Sequence, residues 1–324
     1  MKCHNTIVVA LATAFAAATV SAQEAPTFGY PVGFSVSKMD TSVSPRKDFT
    51  RYAAGKWYDA MEIPADQKGV SGLSLISKRT DVLLGQLVEE ATRKAASAPK
   101  GSPTQQVGDL YAAGMDEARL KALGNAPLQL VFQRIRAISD KQQLPSEIAR
   151  LQLATNDTIM LGGAVTPGIR DKSKYIFVVS DSSLLLSNFE DYYKPEAARY
   201  REAYLKNVTD TLVLAGFNIS ESRAFADKAL AIETRIAKVR QPLLDQNEPD
   251  KRYLLMRYEE LKALTPAFDW DTYFATIGLT PPTEVTAVET KAMAERSAIL
   301  SELSLDDLKM LLMWEYLRRV TGGL

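Results

Sequence analysis

Histidine is almost absent from this chain. His4 is the only histidine among 324 residues, and it precedes the one long apolar run. Histidine is the commonest metal ligand in proteins and a frequent acid–base catalyst. The residues after position 4 therefore cannot form a serine–histidine–aspartate triad or a histidine-based metal site.

Cysteine is equally scarce, since Cys3 is the only one. After that residue the chain can form no disulfide, no thiol nucleophile and no cysteine-ligated zinc site. Stability must come from a hydrophobic core, and a chain of roughly 300 residues can bury about three-quarters of its unfolded surface. The composition, with 46% hydrophobic and 24% charged residues, is that of a globular protein.

Neither sign of charge dominates the sequence. Lysine and arginine together number 39, as do aspartate and glutamate, so the formal net charge at pH 7 is zero. This balance gives no indication of a basic surface for nucleic acid or for an anionic membrane. We therefore expect no nucleic-acid partner.

The sequence has one long apolar run, at residues 7–20. The cation Lys2 precedes this run. Val20 and Ala22 fit the −3 and −1 positions of a signal-peptidase site, so residues 1–22 are predicted to be a cleaved export signal. The run is shorter than the roughly 20 apolar residues that a transmembrane helix needs.

Cleavage of this signal would remove both Cys3 and His4. We therefore expect a periplasmic or secreted protein without stable membrane insertion after cleavage. An uncleaved membrane anchor is the alternative.

The rest of the chain predicts a mainly α fold, a multi-helical lobe with one small β-hairpin. Residues 23–47, rich in proline, glycine and serine, predict an extended lead-in, and residues 48–324 predict a helical domain. The predicted helices span 73–96, 103–115, 127–138, 144–155, 195–216, 220–240, 257–264, 269–277, 284–299 and 305–320.

The hairpin is predicted from two runs rich in β-branched and aromatic residues, 159–165 and 175–179. Pro167-Gly168 lies between them and breaks any helix. Gly162-Gly163 fits tight strand geometry, and no phosphate-binding glycine motif is present.

Two pairs of adjacent carboxylates, Glu89-Glu90 and Asp306-Asp307, are candidates for acid–base chemistry. Adjacent side chains on a helix do not face each other, so we expect solvated faces, with the second pair in a first helical turn. A serine–lysine dyad stays open, but no motif singles one out.

Four tyrosines lie close together in the sequence. They either line a binding groove or pack in the core, and packing is the favoured role. This tyrosine cluster comprises Tyr192, Tyr193, Tyr200 and Tyr204.

Several ordered segments resemble the N-terminal region of the neprilysin-type zinc metallopeptidases, the family of endothelin-converting enzymes and bacterial oligopeptidases. Residues 39–43, 48–57 and 63–66 are similar to the family's D-x-S…DF-x-x-Y-x-x-G-x-W…IP pattern. The similarity continues at residues 107–117, 214–217 with 232–237, and 268–273 with 308–314.

This resemblance implies a non-catalytic helical lobe that roofs a cavity and limits substrates to peptides. In the family, zinc is held by a His-Glu-x-x-His helix and a downstream glutamate, in a C-terminal domain beyond the region matched here. We therefore expect this chain to be truncated before the zinc domain and inactive alone, with no zinc of its own. Peptides or a complementary catalytic domain are the implied partners.

The chain also departs from the family pattern. By spacing, a usual arginine falls on Ser77, with Lys78 and Arg79 as displaced substitutes. The segment 185–193 keeps only an acid and the tyrosines of a G-L-P-D-R-D-Y-Y pattern. No catalytic, cofactor-binding or metal-binding residue is therefore predicted.

Two functions remain open, a lobe of a split or inactive peptidase and a stand-alone peptide- or protein-binding module. The second predicts an exposed apolar patch on the last helix, because its usual covering segments would be missing. The residues of this predicted patch are Met310, Leu311, Met313, Trp314 and Leu317.

Overall fold

The computed structural model describes residues 35–65, 67–169 and 171–321, apart from the side chains of residues 243, 244 and 251. The described residues divide into two compact units, one ending at Glu117 and the other beginning at Ala118. The predicted export signal lies outside the described residues. Within the described ranges, no helix is both long and apolar enough to cross a membrane.

The described part of the first unit is built from helices and the loops between them. The helices are α1 (Phe49–Ala60), α2 (Gly72–Lys94) and α3 (Pro103–Gly114), with short 3-10 helices at Val36–Lys38 and Ala95–Ser97. Ser102 caps α3 by accepting the N–H of Gln105 at 3.3 Å, and Pro103 occupies the first helical turn. The predicted start of this helix is confirmed.

Helices α2 and α3 approach each other closely at Gly108. A Cβ added to this glycine would lie 2.6 Å from the carbonyl oxygen of Ala91 and 2.7 Å from Cβ of Ala95. Only a residue without a side chain fits so near another backbone. The glycine in the segment 107–117 therefore has a packing role.

The second unit is also mainly helical. Its α-helices are α4 (Glu117–Leu123, starting at the boundary), α5 (Ala126–Arg136), α6 (Leu144–Thr155), α7 (Ala198–Leu214), α8 (Ile219–Val239), α9 (Leu243–Gln246), α10 (Pro249–Arg252), α11 (Tyr258–Leu264), α12 (Trp270–Ile277), α13 (Thr290–Glu302) and α14 (Leu305–Val320). Short 3-10 helices lie at Lys141–Gln143, Phe189–Tyr192 and Pro195–Ala197. These bounds confirm the mainly α prediction.

The predicted hairpin is part of a larger sheet. It comprises β1 (Leu161–Pro167), β2 (Tyr175–Asp181), β3 (Tyr253–Arg257) and β4 (Glu284–Val288), in the order β1-β2-β4-β3. The β1–β2 and β3–β4 pairs are antiparallel, whereas β2 and β4 are parallel. The hairpin is confirmed, and two further strands extend it.

The helix predicted over 284–299 is wrong at its start, because residues 284–288 form β4. Val285 and Ala287 are fully buried on one sheet face, and the backbone pairs with strands on both sides. Glu289 then adopts a left-handed conformation with φ of 58°, and α13 begins at the next residue. Pairing with distant strands outweighs the local alanine-rich helical pattern.

An aromatic core joins the sheet to α12. The Phe177 and Phe274 rings lie 4.8 Å apart, and Trp270 and Tyr273 are fully buried beside them. The hydroxyl of Tyr273 accepts the N–H of Gly163 at 3.1 Å. A Cβ at this glycine would lie 2.0 Å from the carbonyl oxygen of Val178, which confirms the tight strand geometry predicted there.

The predicted apolar patch on α14 is wrong. Leu311, Trp314 and Leu317 are each at most 2% exposed, and Met313 is also buried, because α5 and α6 pack against this helix. Met310 is half-buried against the same core. Segments that precede α14 in the chain therefore cover it.

Exposed apolar side chains occur on several other elements, among them α2 and α3. Leu73, Leu87 and Leu110 are 73%, 62% and 76% exposed. Other elements also have exposed leucines, since Leu130 of α5 and Leu214 of α7 are 71% and 76% exposed, and single exposed leucines are ordinary on protein surfaces.

Candidate functional site

The two carboxylate pairs behave as solvated helix faces. Glu90 and Glu89 make i,i+4 ion pairs with Lys94 and Arg93 along α2. Each of these side chains is largely exposed, so Glu89 and Glu90 do not form a desolvated acid–base site.

The second pair lies in the first turn of α14, as predicted. Asp306 is almost fully exposed, and Asp307 pairs with Lys228. Negative charge is favourable at a helix N-terminus, which gives both residues a structural role.

The tyrosine cluster divides between core and surface. Tyr192 and Tyr204 are buried, with ring centroids 6.1 Å apart, whereas Tyr193 and Tyr200 are exposed. The packing prediction is confirmed for the first two.

The D-x-S segment forms a local fold around Asp40. Its carboxylate accepts the N–H of Ser42 at 3.1 Å, and its own N–H donates to the carbonyl of Tyr52 at 2.9 Å. A Cβ at Gly55 would meet Cβ of Asp40 at 2.7 Å, so only glycine fits there. Asp48 caps α1 through the N–H of Arg51 at 2.8 Å.

A carboxylate surrounded by three arginines lies deep in the second unit. We call Glu315, Arg296, Arg318 and Arg319 the Glu315 cluster. Glu315 Oε2 lies 2.5 Å from Nη1 of Arg319 and 3.0 Å from Nη2 of Arg318, and its Oε1 lies 3.8 Å from Nη1 of Arg296. Glu315 and Arg296 are fully buried, and the other two side chains are 7% exposed.

In this cluster, the arginine charges affect the pKa of Glu315 more strongly than burial does. Burial raises the pKa of Glu315, but the positive charges of Arg318, Arg319 and Arg296 bring that pKa down to about 2. Glu315 is therefore ionised at neutral pH. Arg318 also donates to the carbonyl of Ser183, which joins α14 to the segment after β2.

A second buried carboxylate, Asp181, faces the same region from the end of β2. Its Oδ2 lies 2.6 Å from Nη2 of Arg240 and 3.7 Å from Nε of Arg296. Burial raises the pKa of Asp181 to about 6, although both guanidiniums act in the opposite direction. These arginines join the C-terminal end of α8 and the middle of α13 to the end of β2.

Glu233 of α8 is another buried carboxylate. It accepts the hydroxyl of Tyr192 and, at 3.0 Å, the N–H of Leu185. Burial raises its pKa, and Arg318 opposes that effect. This bond joins α8 to the 3-10 helix Phe189–Tyr192.

A concavity of about 610 Å³ lies over one face of the sheet, and we call it the sheet groove. Ile176, Thr286, Leu255 and Tyr253 contribute to its floor. The β1–β2 turn and the region of Pro249 border it. Its volume is in the range of small-ligand and peptide-side-chain sites.

The comparisons with known proteins identify the family of this architecture. The model of peptidase family M13 matches residues 45–324. The chain belongs to peptidase family M13. The resemblance inferred from the ordered motifs is therefore confirmed.

The M13 relatives are distant in sequence and longer than this chain. Bovine endothelin-converting enzyme 1 is 21% identical over 301 residues, which are 89% of this chain and 39% of that enzyme. The endothelin-converting enzyme homolog of Locusta migratoria is 25% identical over 249 residues, 74% of this chain and 34% of the homolog. The chain thus spans well under half of either relative.

A solved M13-like structure has the same fold. The zinc metalloprotease ZMP1 of Mycobacterium tuberculosis, solved with an inhibitor, superposes with a TM-score of 0.79 and 22% identity. The match covers 91% of this chain and 45% of that one. The lactobacillal PEPO structure matches less closely, with a TM-score of 0.61 and 19% identity.

The zinc of such proteins does not fit the described residues of this M13 chain. No group of three or more histidine, cysteine, aspartate or glutamate side chains in them is arranged to hold a metal ion. Glu315 and Asp181 bind arginines instead, and Glu233 binds a tyrosine.

The departures from the M13 pattern lie on two different elements. Ser77 and Lys78 are exposed on α2, and Arg79 is half-buried on the same helix. In the other segment, Asn188 caps the 3-10 helix Phe189–Tyr192 by accepting the N–H of Glu190 at 3.3 Å. Neither segment contributes to the sheet groove.

Proposed function

We propose that residues 1–324 are the N-terminal lobe of a zinc metalloendopeptidase and that they form a wall of its peptide cavity. This proposal rests on the M13 match over residues 45–324, in a sequence whose only histidine is His4. A zinc peptidase site needs three protein ligands and an open position for water. Hydrolysis therefore requires ligands from outside these residues.

The exposed leucines of α2 and α3 support this role. Burying a fully exposed leucine stabilises an association by roughly 1.5–3 kcal/mol. Helices with such residues at Leu73, Leu87 and Leu110 are suited to pack against further protein. A zinc-bearing domain, in the same polypeptide or in another, is the partner that the family suggests.

We expect the purified 324-residue chain to hydrolyse no peptides. The assay incubates it with excess zinc and a mixture of short peptides, and mass spectrometry follows the products. A complete M13 peptidase serves as the positive control under the same conditions. Cleavage that needs zinc and disappears with a chelator would contradict the proposal.

We also propose that the protein acts in the periplasm or outside the cell. The observation is the apolar run at 7–20 followed by Val20 and Ala22. Expression with the native N-terminus, followed by intact-mass measurement of the exported product, is expected to show a chain that begins at Gln23. An unprocessed mass in the membrane fraction would support an uncleaved anchor instead.

The alternative function is a stand-alone peptide- or protein-binding module. The apolar patch on α14 that motivated it is buried, but the exposed leucines of α2 and α3 also suit a partner protein. The DNA after codon 324 tests one form of the first function. An in-frame His-Glu-x-x-His motif favours a peptidase lobe with its zinc domain in the same polypeptide, whereas an immediate stop codon leaves the module and a lobe that another polypeptide completes.

A further inference from the structure

Helix α2 has no buried residue along its 23 residues. By contrast, the 21-residue helix α8 buries Phe225, Ile232 and Ile236. An amphipathic helix of a globular protein normally turns its apolar side toward a core. The apolar side of α2 is not buried in this way by the described residues.

The first unit as a whole has almost no apolar core. Among its described residues, Ala95 is the only buried apolar side chain. The close contact at Gly108 joins α3 to Ala91 and Ala95 through small groups, and no large side chain is buried there. Because buried apolar surface is the main term that offsets the entropy of ordering a chain, these helices need a further surface to be stable.

Local interactions explain why α2 is helical without such a core. The hydroxyl of Ser71 accepts the N–H of Ser74 at 3.0 Å, and the hydroxyl of Ser74 accepts the N–H of Ser71 at 2.9 Å. This capping box starts the helix, and the ion pair of Glu90 with Lys94 supports its last turns. These interactions define the helix but leave its apolar side chains unused.

The apolar residues of α2 form a stripe at helical spacing. Positions 73, 76, 80, 83 and 87 are separated by three and four residues in turn, so they follow one side of the helix for about 21 Å. This is the spacing at which one helix packs along another. We call this set the α2 stripe, and its members are Leu73, Ile76, Thr80, Leu83 and Leu87.

The α2 stripe differs from the other exposed leucines of the chain. Leu130 of α5 is exposed, but α5 also buries Phe132. Leu214 of α7 is exposed, but α7 also buries Leu212. Those helices have their apolar sides in the core and single leucines outside it, whereas on α2 the apolar side itself is open.

The M13 relatives indicate what could cover this side of α2. More than half of bovine endothelin-converting enzyme 1, and more than half of the ZMP1 chain, lies outside the part that matches this chain. A complete M13 peptidase therefore contains further protein that could pack on the stripe. A helix with apolar residues at positions i, i+3, i+4 and i+7 fits the length and spacing of such a surface.

We propose that the α2 stripe is the docking surface for an amphipathic helix of the zinc-bearing part of an M13 peptidase. This inference rests on the proposed function, because it takes the zinc-bearing part as the partner. The partner helix lies along α2, and its large apolar side chains pack between those of the stripe. Its binding supplies the buried apolar surface that the first unit lacks.

The test measures the fluorescence anisotropy of a labelled helical peptide with the whole 324-residue chain. The probe has about 18 residues of alanine, glutamate and lysine, with leucines spaced by three and four residues in turn. The control peptide has the same composition, but its leucines are spread around the helix. We expect saturable binding of the probe and binding of the control that is at least about tenfold weaker, which corresponds to about 1.4 kcal/mol. Equal binding of both peptides would overturn the proposal, as would an absence of saturable binding.

Two variants locate the surface, and each has a matched control. Leu73→Glu and Leu87→Glu are expected to weaken probe binding about tenfold or more. Leu130→Glu on α5 and Leu214→Glu on α7 change leucines of similar exposure and should bind as the unchanged chain does. Circular dichroism checks that all four variants are folded. Equal losses in the stripe variants and their controls would refute the assignment.

Hydrogen exchange separates this inference from the proposed function. We expect the probe to slow the exchange of the α2 amides at least about tenfold and to leave α5 and α7 unchanged, with or without zinc. Unchanged exchange in α2 would contradict helix docking, whatever the DNA after codon 324 encodes. Zinc-dependent cleavage by the 324-residue chain alone would contradict the proposed function but not the docking of a helix on α2.

Discussion

Replacing Glu315 with glutamine is expected to lower the free energy of unfolding by about 3–5 kcal/mol, the cost of breaking a buried ion pair. The variant keeps the shape of the side chain but leaves Arg296, Arg318 and Arg319 without their shared counter-charge. Urea denaturation followed by circular dichroism measures the loss. The cluster is buried, so solvent cannot compensate for the missing charge.

The matched control is Glu302→Gln. Glu302 also binds an arginine, with Oε2 at 2.7 Å from Nη1 of Arg235, but its side chain is 54% exposed. An exposed ion pair typically contributes roughly 0–1 kcal/mol, so this variant should be nearly as stable as the unchanged chain. Similar losses in both variants would contradict the role assigned to burial.

The stability difference between the unchanged chain and Glu315→Gln should depend on pH. The pKa of Glu315 is about 2 in the fold against an ordinary value of 4.5. Its ionised form therefore stabilises the fold above about pH 4.5, and this contribution is lost as the pH falls through about 2. Asp181, whose raised pKa of about 6 acts in the opposite sense, is present in both proteins.

Local patterns predicted most helices of this fold. The helix α14 begins and ends where the 3.6-residue spacing placed it, at Leu305 and Val320. Ser102 and Pro103 marked the start of α3 correctly. These signals lie within a few residues of one another, so the sequence contains all the physical information they need.

Non-local pairing explains what the sequence did not predict. The strand β4 has a β-branched pattern from Val285 to Val288, but its partners are β2 and β3, far away along the chain. The sheet groove depends on this pairing, since it joins Ile176 to Leu255 and Thr286. No local pattern shows which strands become neighbours.

Buried charge was also beyond the sequence patterns. Arg296 lies in an otherwise ordinary helical sequence, and arginine is almost never fully buried unless it is paired. Its burial follows from the meeting of α13, α14 and the end of β2, where Asp181 and Glu315 supply opposite charges. The sequence shows charged residues among the apolar residues of α14. Which of these charges becomes buried depends on how the neighbouring helices pack.

The largest expected effect in the apolar core comes from Trp270→Ala. Trp270 is fully buried, and its ring lies 4.7 Å from Phe268 and 5.3 Å from Tyr273, measured between centroids. Its indole N–H donates to Oγ1 of Thr265 at 2.8 Å. Truncation should lower the free energy of unfolding by about 3–5 kcal/mol, because it leaves a cavity and removes the indole hydrogen bond, although the Thr265 hydroxyl still donates to the carbonyl of Leu261.

Trp270→Phe and Tyr175→Ala complete the experiment. The phenylalanine variant restores most of the apolar volume but not the hydrogen bond to Thr265, so its loss in urea denaturation should lie between those of the unchanged chain and Trp270→Ala. Tyr175 is an aromatic residue of the same unit that is 77% exposed, and its removal should cost less than about 0.5 kcal/mol. A loss for Trp270→Ala as small as that for Tyr175→Ala would mean that the aromatic core does not hold the sheet to α12.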